Sequence, residues 1–203
     1  MWPFVSKAML ELYRARASTK RRGTLARAAK VFGVATRVWA DVAAARGLVL
    51  EVAPDNTWMH VHGTVRGAPL EMDATEKGLD CFRTIVRAAL PIANGFRLHI
   101  GPGASIWSTL AGLSGHRVRM GHREFDRRYT SVLEPKGTAF VLDDRTIAAL
   151  MAVRERDPTL VWGEHEIVLD MLGIVLDRDV LLDLIDALSH ASATAGSPYR
   201  KPA

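Results

Sequence analysis

The sequence predicts an α+β domain: a largely antiparallel sheet with packed helices, preceded by N-terminal helices. Three observations carry this. Leu25, Ala28, Phe32, Ala35, Trp39 and Val42 recur three and four residues apart, the period of a helix buried on one side. Short runs of β-branched and aromatic residues follow, separated by tight turns rather than helices, so neighbouring strands run antiparallel. Two more helical patterns come late in the chain, each starting at an aspartate.

Residues 4–22 read as an amphipathic helix. Phe4, Val5, Ala8, Met9, Leu12 and Tyr13 fall near one face, and Lys7, Arg14, Lys20, Arg21 and Arg22 favour the rest. Gly23 and Thr24 break and restart the helix, with Thr24 as N-cap. The long helix runs to Arg46 and stops at Gly47, a residue suited to a left-handed cap. LVLEV (48–52) is a strand. TWMHVHGTV and LEMDA form a hairpin around RGAP. CFRTIVRAA (81–89) and FRLHI (96–100) are further strands, and SIWSTLAGL (105–113) suits a short helix. GHRVRMGHREFDRR is a polar connector, followed by strands YTSVL (129–133) and TAFVL (138–142). Asp143 or Asp144 caps a helix through about Arg156. TLVW and EIVLDML make a second hairpin around Gly163, and Asp177 caps the last helix. The domain division is therefore a basic amphipathic arm (1–23), one α+β domain (24–191) and a disordered tail (192–203).

A chain of 203 residues, 48% hydrophobic and 24% charged, suffices for one real core. Its single cysteine, Cys81, excludes an internal disulfide and a thiolate zinc set, and reads as a buried strand thiol. The N-terminus lacks the uninterrupted apolar run of a secretory leader. The longest stretch free of Asp, Glu, Lys and Arg, Leu98 to His116, is broken by Gly101, Pro102, Gly103, Gly112 and Gly115, so no transmembrane helix is expected. A cytoplasmic protein is the expectation, with peripheral membrane contact as its extension.

That contact would come through the arm. The net charge of +5 is uneven: residues 1–40 carry +8 and the remainder −3. Trp2, Phe4, Met9 and Leu12 would pack or insert, while Lys7, Arg14, Lys20, Arg21 and Arg22 meet phosphates or carboxylates. Deleting residues 2–22 is expected to leave the thermal melt nearly unchanged and to abolish co-sedimentation with anionic vesicles or capture of a protein partner. A large fall in melting temperature would show instead that the segment covers the core.

The landmarks WADVAAARGL, VHGTVRG, FRTIV and FDRRY resemble a widespread bacterial domain family without an assigned activity, over about residues 36–190. The resemblance implies no catalytic residues.

His60 and His62 alternate on one face of their strand, where two imidazoles can hold a metal if Glu71 or Asp73 supplies a third ligand. Met59, Val61 and Val65 supply the opposite, apolar face, so a wet polar strand face accounts for the histidines without metal. Gly101 and Gly103 in GPGAS, with Arg117, Arg119, Arg127 and Arg128, form a candidate anion site. The same segment fits a turn beside a solvated loop. DRD (177–179) reads as a helix cap, and EHE (164–166) as a hairpin turn. The five tryptophans are scattered rather than interleaved with basic residues, so a nucleic-acid platform is not indicated. No HExxH, GxSxG or Walker pattern occurs, and no cofactor is implied. The leading expectation is a non-enzymatic protein-interaction domain with a basic docking arm. The alternative is a small-ligand or anion-binding protein, or an enzyme, using the His60/His62 face or the Gly101–Arg128 region.

Overall fold

The computed structural model describes residues 22–55, 57–76, 82–103, 115–136, 138 and 140–195, with side chains from residue 31. The arm residues before Arg22, Cys81 and the 105–113 segment lie outside the described residues.

Helix α1 (Arg22–Arg46) precedes the sheet. Its backbone is helical through Gly23 and Thr24, so the expected break at that point is absent. Phe32, Ala35, Trp39 and Val42 are fully buried, which is the stripe that the spacing predicts. Gly47 ends the helix at φ +64°, and Leu48 N–H returns to the Ala43 carbonyl at 2.8 Å.

Nine strands make one sheet among the described residues: β1 (Val49–Val52), β2 (Trp58–Val65), β3 (Ala68–Glu76), β4 (Phe82–Ala89), β5 (Arg97–Pro102), β6 (His116–Val118), β7 (Tyr129–Glu134), β8 (Thr159–Trp162) and β9 (Glu166–Leu172). Their order is β1-β2-β3-β4-β9-β8-β5-β7-β6, and every pairing is antiparallel. The β2–β3 turn is tighter than the sequence suggests. Only Arg66 and Gly67 lie between the strands, both at positive φ (54° and 82°), the geometry of a type I′ turn. Gly63 holds φ +155°, a backbone conformation that residues with a side chain rarely adopt, and a Cβ there would also push the Leu48 side chain aside.

Three further helical pieces follow: α2 (Arg123–Arg128), α3 (Asp144–Ala152) with a 3₁₀ turn at Arg154–Arg156, and α4 (Arg178–Thr194). Asp143, not Asp144, caps α3, accepting from Thr146 N–H at 3.0 Å. Asp177 caps α4 by accepting from Asp179 and Val180 N–H. Arg46 and Asp186 join α1 to α4 through two parallel hydrogen bonds of 2.9 and 2.8 Å.

Three readings need correction. The polar connector contains β6 and α2: Asp126 accepts from Met120 and Gly121 N–H, and His122 accepts from Phe125 N–H, so its polar residues build their own turn. The described residues of TAFVL do not form a strand; Phe140 packs on Phe96 and Trp162 instead. Residues 192–194, assigned to the tail from the sequence, belong to α4, and buried Ser192 donates to the Ala89 carbonyl.

The core lies between the sheet and the helices. Met59, Val61, Met72, Ala74, Val86, Leu169 and Met171 face α1 and α4 and are buried. Thr36 Oγ1 lies 3.4 Å from Met59 Sδ, which fixes the side of the sheet that α1 covers.

Candidate functional site

Alternation along β2 turns Trp58, His60 and His62 away from that core. The strand register then decides their neighbours. One cross-strand row is Glu51, His60, Asp73, Ile85 and Asp170. The next is Val49, His62, Glu71, Arg87 and Val168. Trp58, Thr75 and Arg83 form a third. Residues far apart in sequence thus share one polar face over β1–β4 and β9.

The face is tied by one directly opposed pair, His60 with Asp73, and by diagonal pairs, the reach expected of long side chains two residues out of register. His60 Nδ1 lies 2.7 Å from Asp73 Oδ1, and Arg87 holds the other Asp73 oxygen. Arg83 Nε donates to Asp170 Oδ1 at 2.6 Å. His62 Nε2 lies 3.4 Å from Glu51 Oε1, and the two imidazole rings stack with centroids 5.0 Å apart at 20°. Glu71 has no hydrogen bond or ion pair among the described residues, although the register places it between His62 and Arg87.

The hydrogen bond to Asp73 raises the His60 imidazole above its ordinary value, against the opposing pull of burial; Asp73, Glu71 and Glu51 add their charge. Burial pushes the Asp73 carboxyl up, but the hydrogen bond and charge of His60 and the Arg87 guanidinium outweigh it and hold the carboxyl low. His60 therefore stabilises the fold fully below about pH 6.5, and that contribution is lost as pH rises through the raised folded value. Asp73 contributes above about pH 4 and loses its effect as pH falls through its lowered folded value. His99 pulls the other way: burial lowers its imidazole, partly offset by Glu134, so its contribution is lost on acidification. The comparison of wild type with His60→Gln isolates His60. The wild type's advantage in melting temperature is expected to shrink between about pH 5.5 and pH 8.5. A pH-independent difference would show that the His60–Asp73 bond carries no proton linkage.

The metal alternative finds little here. Both Asp73 oxygens are engaged, and among the described residues no group of three or more His, Cys, Asp and Glu is placed to hold a metal ion. Of the anion candidates, Gly103 and Arg128 are brought together by the backbone. Gly101 is a β5 residue paired with Thr130, and Gly103 N–H donates to the Arg128 carbonyl at 3.2 Å, so it is not presented to a phosphate. Arg128 donates to the Arg154 carbonyl at 2.7 Å and pairs with Glu155. Arg117, Arg119 and Arg127 are exposed. Of the docking-arm residues, only Arg22 falls in a described element, at the start of α1.

Sequence reasoning missed Arg83, Arg87, Asp170 and Glu51. Arg83 and Arg87 carried a signal, since an even spacing puts them on one strand face. Asp170 carried none, because nothing local joins β9 to β4.

Two concavities lie elsewhere: an open groove of about 510 Å³ between α2 and α3, lined by His122, Glu124, Ile147 and Met151, and a cleft of about 260 Å³ beside the β2–β3 turn. Neither includes a residue of the histidine face.

No family model matches the chain, and no curated protein matches it. Among solved structures, the fold is similar to that of the mycobacterial trehalose monomycolate transport factor A, with a TM-score of 0.52. The two are 9% identical, and the match covers 84% of this chain and 99% of that one. At that identity the likeness shows the fold alone. No helix among the described residues is long and apolar enough to cross a membrane.

Proposed function

We propose that this chain is a non-catalytic binding protein that takes a polar small ligand on the His60/His62 face. One observation carries the reading. Helices α1 and α4 cover the opposite side of β1–β4, while this side keeps a preorganised set of donors and acceptors. Side chains held by neighbours lose little freedom on binding, which favours recognition. The rows hold no serine, cysteine or lysine beside His60 to act as a nucleophile, and both Asp73 oxygens are engaged. The similarity in fold to a transport factor supports binding over catalysis, since carrying a molecule needs no bond to be broken.

The test is a titration of ¹⁵N-labelled protein with sugars, carboxylates, phosphates and amines. At least one class is expected to move the amide signals of residues 58–62 and 71–75 saturably, and Arg87→Ala with Glu71→Ala to remove the effect. If every class leaves those signals in place, the reading fails. A second reading, docking to a partner or an anionic surface through residues 1–23, is favoured by the +8 charge of the first 40 residues. The deletion of residues 2–22 tests it separately.

A further inference from the structure

We propose that the ligand of the histidine face is a hydroxyl-rich ring, a sugar or cyclic polyol head group; this rests on the binding reading above and names its chemical class. The first argument is exposure. The His60, Asp73, Arg83 and Arg87 side chains stay between 22% and 29% exposed, so a small molecule lying on them stays partly wet and does not gain the deep burial that carries an apolar ligand. Hydrogen bonds to charged groups must supply the affinity.

The second argument is which groups remain open. Asp73 is engaged by His60 and Arg87, and one Asp170 oxygen by Arg83. The Glu71 carboxylate makes no hydrogen bond or ion pair among the described residues, and the Thr75 hydroxyl, shielded from solvent, has no partner. Arg83 and Arg87 each use one nitrogen and keep further N–H groups. Acceptor and donor therefore stand on adjacent strands, about 4.8 Å apart. A hydroxyl both donates and accepts, so neighbouring hydroxyls of one ring can meet Glu71 and Arg87 together. Charge narrows the class further. An anion would face Glu51, Glu71 and Asp73, and a cation would face Arg83 and Arg87. A neutral hydroxylated ring meets neither repulsion.

The third argument is the aromatic row. Trp58 lies on the same face two residues before His60, half-buried and without an aromatic ring pair among the described residues. An indole offers a flat apolar surface to the C–H side of a sugar ring. The imidazoles of His60 and His62 stack on each other beside it along β2, leaving their N–H edges to a ligand.

The experiment titrates the full-length ¹⁵N-labelled chain with glucose and maltose, and in parallel with acetate and inorganic phosphate. The sugars are expected to shift the Trp58 indole signal and the amides of residues 58–62. Trp58→Ala and Glu71→Gln should each weaken binding about tenfold or more, with signal dispersion confirming that each variant is folded. Glu71→Gln keeps the test intact if Trp58→Ala fails to fold. Shifts produced by acetate or phosphate and not by sugars would overturn the class and leave the binding reading standing. Silence from all four probes at these signals would overturn the class too. Sugar binding unchanged in both variants would place the ligand elsewhere and overturn the proposal.

Discussion

Replacing Trp39 by alanine is expected to destabilise the domain by about 3–5 kcal/mol, the range for a large aromatic removed from a tight core. Trp39 is fully buried in α1, and its Nε1–H donates to the Val175 carbonyl at 3.0 Å. The substitution opens a cavity between helix and sheet and also leaves that carbonyl without its donor. Trp39→Phe keeps an aromatic ring but loses the N–H and part of the indole, so it opens a smaller cavity beside the stranded carbonyl; a cost of about 1–3 kcal/mol is expected. Urea melts of both variants measure this. Melts that overlay the wild type would show that α1 is not packed as described.

Thr84→Val should lower stability by about 2–4 kcal/mol although it keeps the shape of the side chain. Thr84 is fully buried on β4. Its hydroxyl donates to the Gly173 carbonyl at 2.9 Å and accepts from Val175 N–H at 3.1 Å. Valine would strand both backbone groups away from water. Thr84→Ser retains both bonds and should cost much less. Trp39 and Thr84 grip the same residue, Val175, one by its carbonyl and one by its N–H. The double variant should therefore depart from additivity by more than about 0.5 kcal/mol. Strict additivity would show that the two bonds form independently.

The elements that local rules govern were legible in the sequence. The Phe32–Trp39–Val42 stripe, the caps at Asp143 and Asp177, and both hairpins follow from period, side-chain oxygens and turn residues acting over a few positions. The polar side of β2 was legible for the same reason. What surrounds it was not. Asp170 reaches Arg83 only because β9 lies beside β4, and no short-range signal encodes that pairing. The GHREFDRR segment misled because its charges look solvated, yet Asp126 and His122 are turned back on their own backbone. TAFVL misled through composition alone: β propensity reports a fit to a pleated surface, and no strand among the described residues pairs with it.

The position of β9 beside β4 bears on how the chain emerges from the ribosome. The β2–β3–β4 meander can form early, but the second edge of β4 waits for a partner roughly 80 residues further on, on the order of 4–16 s at a synthesis rate of 5–20 residues per second. During that interval Phe82–Ala89 offers an open row of amides and carbonyls on a largely apolar strand, the form that recruits another chain. Arg83 and Arg87 stand on that strand. They carry like charges on every nascent copy, so two meanders meeting edge to edge would oppose one another. The side chains that organise the finished face thus also guard the unfinished one.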